Sequence, residues 1–307
     1  MPSKVAAAYR KLKSCVLLDS AYTDDSNSET RIVHPRSRVK MDTPENSTSY
    51  WDHLMSLNDK RLENWLLMVD PKPTVYISFV YIVFCLVAPK ILQGKSFYID
   101  PIVRLYNLSM VIVNFYIAYE LYVSTIGYYY WPCEPVDYTL DPRSMRIASA
   151  FWLYYFSKII ELLDTVFFIL RGKYNQVTFL HVYHHSTMPV MFWIGCNFAA
   201  GGNSVFGAAL NSVIHVIMYT YYYLASFGPR FRQYLWWKRY LTQIQLTQFM
   251  TNLGFLINFM TRETCNFPLW MAQLMFFYMT SFLVLFGNFY VMSYVKGESA
   301  SDDKKKS

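Results

Sequence analysis

Apolar runs of about twenty residues, separated by short charged loops, dominate the chain from about residue 75 onward. A bilayer core is crossed by about 20 apolar residues in a helix. In lipid the backbone must satisfy its own hydrogen bonds, which a helix does. The pattern predicts spans at about 75–92, 105–127, 147–170, 177–196, 204–226, 240–260 and 269–294, the fourth and fifth joined by a very short Gly201-Gly202 connection. The expected fold class is an all-α integral membrane protein with seven transmembrane helices and termini on opposite sides. Ahead of the spans, Trp51, Leu54, Leu57, Leu62, Trp65 and Leu66 recur at roughly helical spacing. They predict an amphipathic segment over 50–69 that lies on the membrane. Residues 1–50 are polar and aperiodic and read as a disordered extension, so the membrane domain is expected over 51–296 with a tail at 297–307.

Loop charge orients this array, because basic residues stay cytosolic. Lys90, Lys95 and Arg104 fall between spans one and two, and Arg171 and Lys173 between three and four. Arg230, Arg232, Lys238 and Arg239 fall between five and six, and Lys296 follows span seven. The alternate loops are acidic or nearly neutral, which predicts a lumenal N-terminus and a cytosolic C-terminus. Trp236-Trp237 beside Lys238-Arg239 fits an interfacial belt. The final Lys304-Lys305-Lys306-Ser307 resembles a cytosolic dilysine signal for retrieval to the endoplasmic reticulum, and a solvated charged tail is the competing reading. Asn46-Ser47-Thr48 is a glycosylation sequon that matters only at a lumenal end; a chance match in a polar tail explains it equally well. Lys4, Arg10, Lys11 and Lys13 surround only short apolar runs, so no cleavable signal peptide is expected.

Composition agrees with a membrane protein: 54% of residues are hydrophobic and 16% charged, too apolar for an ordinary soluble domain. A net charge of +7 raises nucleic acid as a partner, but its basic residues sit in loops between spans, so no nucleic acid is expected. Cysteines lack metal-binding CxxC spacing. Cys133 and Cys265 both fall in loops assigned to the oxidising side and are expected to pair, leaving Cys85 and Cys196 as buried thiols.

Polar residues within the spans carry the candidate chemistry, since ionisable groups there face a protein-lined cavity or one another. His181, His184 and His185 lie at i, i+3 and i+4, on one helix face. Lys158, Glu161 and Asp164 recur every three residues in span three, either as a structural ion pair or with a carboxylate orienting an imidazole from span four. Asn211, His215, Met218 and Tyr222 share a stripe of span five, beside Tyr219. Gln245 and Gln248 in span six read equally as interhelical glue or as part of a site. At 1.5 Å per residue, Asp164, His184 and Gln248 are expected at one depth in the cytosolic half, with His215 nearer the midplane.

Taken together, Lys158-x-x-Glu161-x-x-Asp164-Thr165, His181-Val182-Tyr183-His184-His185, Asn211-x-x-x-His215-x-x-Met218-Tyr219-x-Tyr221-Tyr222 and Thr242-x-x-Gln245-x-x-Gln248 resemble the ELO family of very-long-chain fatty-acid elongases. The likeness runs from about Leu66 to Tyr294 and looks closest to the branch acting on very long or polyunsaturated chains. It implies a 3-ketoacyl-CoA synthase of the endoplasmic reticulum that condenses a long-chain acyl-CoA with malonyl-CoA. It also implies six of seven helices in an inverted-repeat barrel around a substrate tunnel, no tightly bound cofactor, and reductase and dehydratase partners. The basic Lys173, Arg230, Arg232, Lys238 and Arg239 would then meet CoA phosphates, with membrane lipid around the protein and a homo-oligomer compatible with the fold. In the preferred chemistry His184 attacks the thioester, His215 and Asn211 stabilise the enolate or oxyanion, and His181, His185 and Asp164 orient and tune the imidazoles. A rival chemistry uses histidine only as a base. A di-iron desaturase is the enzymatic alternative, but the membrane region has too few histidines for several metal boxes, so no metal is expected. A seven-helix receptor or transporter is the non-enzymatic alternative.

Overall fold

In the computed structural model of the protein, residues 54–262 and 265–295 are described, the side chains of residues 229, 230 and 232 excepted. The extension over 1–50, the Asn46 sequon, Lys296 and the tail over 297–307 lie outside the described residues. No strand occurs among the described residues. The regular helices are α1 (Lys72–Ile91), α2 (Asp100–Thr125), α3 (Pro142–Ile160), α4 (Leu163–Leu170), α5 (Phe179–Ala199), α6 (Ser204–Ala225), α7 (Lys238–Met260) and α8 (Leu269–Tyr290). By length and composition, four described segments can cross a membrane: α1, α2, α6, and α8 with the turn that extends it to Val295. Helices α3, α5 and α7 are less apolar because they carry the lysines, histidines and glutamines singled out above.

Local chemistry sets where helices start. Pro101 and Pro142 stand in the first turns of α2 and α3, where a missing N–H costs nothing. The Asp141 carboxylate caps α3 by accepting from Arg143 N at 3.1 Å. The expected span over 147–170 falls into two helices, α3 and α4, with a short joint between them. At Glu161–Leu162 the bonding shifts locally to the shorter pattern, with Leu162 N on Ile159 O at 3.2 Å and Asp164 N on Glu161 O at 3.1 Å.

Helix α2 packs against α3 and α6; α3 packs on α5, α5 on α8, α8 on α7, and α7 on α6. Helix α1 lies on α5 and turns Tyr76, Phe79, Val83 and Leu86 outward. The α1–α2, α4–α5 and α6–α7 connections gather at one end. There Phe97 N donates to Leu170 O at 2.8 Å, Arg171 pairs with Asp100 at 2.7 Å, and the Arg104 guanidinium donates to Ser226 O.

The opposite end is tied differently. Cys133 and Cys265 form a disulfide, while Cys85 and Cys196 are free and buried. Asn203 accepts from Glu134 N through its side chain and donates its own N–H to Glu134 O, each at 3.0 Å. Gly202 makes this approach possible: with φ +55°, its Cβ would stand 2.7 Å from Glu134 O. The segment before α1, expected to be amphipathic over 50–69, also docks here. Its described part runs from an α-helical stretch at 54–56 into a 3-10 turn at Lys60–Leu62; Asp59, Arg61, Leu62 and Met68 are buried, while Leu57, Leu66 and Val69 face outward. The Arg61 guanidinium holds the Asp59 carboxylate and donates to Ser144 Oγ and to Ala200 O at 2.9 Å.

Removing one partner of a buried ion pair strands the other charge at a cost of about 3–5 kcal/mol. Arg61→Ala should therefore lower the thermal midpoint of the detergent-solubilised protein markedly, and Asp59→Leu with Arg61→Met should recover most of the loss. An unchanged midpoint for Arg61→Ala would show that the pair does not hold this segment.

Candidate active site

Helix α5 opens with Thr178, whose hydroxyl accepts from His181 N at 3.3 Å and fixes the first turn of the histidine stretch. Further along, Pro189 has no N–H for the carbonyl of His185, one turn earlier. The Thr187 hydroxyl also donates to Tyr183 O at 2.7 Å. The Thr187 hydroxyl thus adds a side-chain bond to the turn that precedes the proline. All three imidazoles line one cavity of about 480 Å³. The rings of His181 and His185 lie 4.3 Å apart, and those of His184 and His185 lie 4.9 Å apart. His181 Nε2 is 2.8 Å from the Thr165 hydroxyl, which in turn is 2.7 Å from the Tyr81 hydroxyl of α1. His185 Nδ1 is buried without a hydrogen-bond partner among the described residues. The His184 side chain has no hydrogen-bond partner among the described residues and lies against Phe282.

Glu161, Asp164 and His215 face the same cavity. Lys158, 1% exposed, donates to Glu161 Oε1 at 2.8 Å and reaches Asn211 Oδ1 and His215 Nδ1, each at 3.3 Å. His215 Nδ1 is 3.2 Å from Glu161 Oε1, and the Tyr154 hydroxyl donates to Asn211 Oδ1 at 2.7 Å. The carboxylate beside an imidazole is therefore Glu161, and the imidazole belongs to α6. Asp164, expected to orient an imidazole of the next helix, instead accepts from the Tyr219 hydroxyl at 2.8 Å. It points towards α6 rather than α5, so Thr165 is the residue that meets His181.

A second, smaller cavity of about 90 Å³ has a mainly apolar wall of Phe, Met and small side chains, with Tyr154, Asn203, Ser204, Asn211, Gln248 and Asn252 as its polar members. Asn211 lines it, while His215, one turn later on α6, lines the histidine cavity. Gln245 lines the histidine cavity and is 3.7 Å from Met218 Sδ. Gln248 lines the narrow one, which corrects the expectation that it shares a site with His184 and Asp164. Residues three apart differ by about 60° around a helix axis, and here that offset puts Gln245 and Gln248 on either side of the boundary between the two cavities.

The basic candidates divide as well. Lys173 and Lys238 line the wide cavity, with Arg171, at the end where the basic loops gather. Burial, then the neighbouring Arg171, hold the Lys173 ammonium below the usual lysine range. The Arg239 guanidinium donates to the Tyr290 hydroxyl at 3.1 Å and lies over its ring. The side chains of Arg230 and Arg232 lie outside the described residues. Tyr154 and Tyr81 escaped the sequence reading. Tyr154 stands four residues before Lys158, a spacing that could have singled it out; Tyr81 has no such signal in an aromatic-rich span.

Apolar, membrane-compatible helices around a wall of buried imidazoles, a lysine and carboxylates define a membrane protein with an internal reactive chamber. Residues 66–302 match the GNS1/SUR4 family, and the chain belongs to it. It is 48% identical over 242 residues to very long chain fatty acid elongase 4 of Homo sapiens, covering 78% of this chain and 76% of that one. It is 42% identical over 262 residues to very long chain fatty acid elongase 7 of Rattus norvegicus, covering 84% and 93%. To very long chain fatty acid elongase 1 of Homo sapiens it is 41% identical over 254 residues, covering 81% and 90%.

Replacing Tyr219 by Phe removes an O–H donor from the buried Asp164 carboxylate. A hydrogen bond to a charged group is worth about 1.5–3 kcal/mol, so Tyr219→Phe should lower the thermal midpoint accordingly. A double-mutant cycle with Asp164→Asn should return a coupling of that order; strictly additive losses would show the contact to be energetically idle.

Proposed function

We propose that the protein is a fatty-acid elongase that condenses a long-chain acyl-CoA with malonyl-CoA, releasing CO2 and CoA. The observation that carries this reading is the juxtaposition of two unlike chambers on α6. His181, His184, His185 and His215 share a wide cavity with Lys173 and Lys238, and Asn211 faces a narrow apolar one. A CoA thioester has the same division, with phosphates at one end, a reactive carbonyl, and a hydrocarbon tail. Membership of a family whose relatives are named very long chain fatty acid elongases supports it.

His184 is the nucleophile in this reading, since its imidazole is free of other partners. It attacks the thioester carbon, the C–S bond breaks, and CoA leaves as the thiol with the imidazole proton. Malonyl-CoA then loses CO2, and the electron pair of the broken C–C bond becomes an enolate. The enolate carbon attacks the acyl-imidazole, the C–N bond breaks, the departing imidazole nitrogen takes a proton from solvent, and 3-ketoacyl-CoA forms. His215 holds and tunes its neighbours through Glu161 and Lys158, and Asn211 stands at the entry to the tail chamber. The Lys158 ammonium lies within reach of both Asn211 and His215, so charge developing between them meets a fixed cation.

The order of helix neighbours supports an arrangement of seven spans in which α2, α3 with α4, α5, α6, α7 and α8 surround the chambers and α1 stands outside. The loop charges support a cytosolic wide cavity, with the lumen at the disulfide end and residence in the endoplasmic reticulum. Reductases and a dehydratase would complete the chain-lengthening cycle, as the keto product requires reduction and dehydration. A homo-oligomer is compatible with this arrangement.

His184→Ala should reduce labelled malonyl-CoA incorporation by about 10²-fold or more, the floor for losing acid–base help alone. Fast-quench intact mass spectrometry with acyl-CoA and no malonyl-CoA should trap one acyl adduct per wild-type chain and none on His184→Ala. Incorporation without any trapped adduct would favour direct condensation with histidine as base. Lys173→Ala should raise KM for CoA esters with little change in kcat, and the difference should shrink at high salt; an unchanged KM would remove Lys173 from the CoA contact.

A further inference from the structure

The narrow cavity departs from its apolar rule on one wall. Gln248 and Asn252 stand one turn apart on α7, and both side chains line it. Asn252 is 7% exposed, and its Oδ1 has no hydrogen-bond partner among the described residues. Gln248 is 4% exposed and has no hydrogen-bond partner among the described residues. On α6, Gly207 leaves the space before this amide open: a Cβ there would stand 3.7 Å from Asn252 Oδ1.

Buried polar groups are almost always paired, and leaving one unpaired costs free energy comparable to a lost hydrogen bond. A saturated tail offers this amide nothing. A hydroxyl is both donor and acceptor, so it pairs with Asn252 whichever way the amide is turned. A trapped water would need several polar partners; apart from Gln248 the polar residues of this cavity are Tyr154, Asn203, Ser204 and Asn211, and the rest of the wall is mainly Phe and Met. Position matters too. Gln245 faces the histidine cavity, Gln248 the narrow one, and Asn252 lies about 6 Å further along α7. The orphan amide therefore meets the tail part-way along, away from the reacting carbonyl.

Resting on the elongase reading, we propose that Asn252, with Gln248 beside it, is a specificity-determining residue that selects acyl chains carrying a hydroxyl part-way along over saturated chains of equal length. The purified full chain is assayed with labelled malonyl-CoA against saturated, polyunsaturated and positionally varied hydroxyacyl-CoA substrates of one length. In the wild type, kcat/KM should peak at one hydroxyl position, about tenfold above the saturated chain, the order expected of one hydrogen bond to a buried group. Asn252→Leu should flatten that ratio to about one. Gly207→Ala keeps the amide but fills the facing space, and it should also lower the ratio; it serves as the second variant should Asn252→Leu fail to fold. The proposal is overturned if no hydroxyl position exceeds the saturated chain, if the ratio survives Asn252→Leu, or if polyunsaturated chains gain more through Asn252 than hydroxylated ones. Extension of saturated chains without any preference removes this inference and leaves elongation standing. No extension of any substrate removes both.

Discussion

A lysine ammonium with almost no access to solvent is the constraint on which the interior depends. Lys158 is 1% exposed, and an isolated charge at that depth is costly unless paired and hydrogen-bonded. Its partners are Glu161 at the end of the same helix and Asn211 and His215 on α6. Tyr154 completes the set from the preceding turn of α3. Satisfying one cation thus fixes the register of α3 against α6, and with it the height at which His215 meets the histidines of α5. The tightened joint after Ile160 belongs to the same arrangement, because Glu161 sits on it with its carboxylate turned inward. Breaking the helix there lets Glu161 and Asp164, three residues apart, serve different tyrosine, lysine and histidine partners.

The same contacts divide the interior by polarity. Consecutive turns of α6 present His215 to a wide, titratable chamber and Asn211 to a narrow, greasy one. Consecutive turns of α7 do the same with Gln245 and Gln248. The boundary between the two chambers is thus a boundary of polarity, and the basic side chains of the wide one stand at the end where the basic loops gather.

Much of this was legible in the chain because period and length carry helix identity strongly. Expected spans such as 204–226 and 269–294 differ from α6 (Ser204–Ala225) and α8 (Leu269–Tyr290) by only a few residues at either end. The shared face of His181, His184 and His185 followed from spacing alone. What escaped was azimuth and partner choice. Gln248 was assigned by depth, although the direction of a side chain around the axis depends on how neighbouring helices rotate. Asp164 was matched to an imidazole because both are titratable, yet the hydroxyls of Tyr219 and Thr165 divided those roles. The docked Asp59–Arg61 pair was hidden for a related reason: its partners Ser144 and Ala200 lie far away in sequence, and no local period reports them.

One end of this molecule is stitched and the other is not. The disulfide joins residues 132 positions apart, fastening the α2–α3 connection to the α7–α8 connection, and the Gly202 turn nests against the same connection through Glu134. Helices bound together at one extremity move like the ribs of a fan about its rivet. The opposite end is held by non-covalent contacts, among them Arg171–Asp100, the Arg104 guanidinium on Ser226 O, Phe97 N on Leu170 O and the Tyr174 hydroxyl on Leu92 O, so it is the end at which separating the helices breaks no covalent bond.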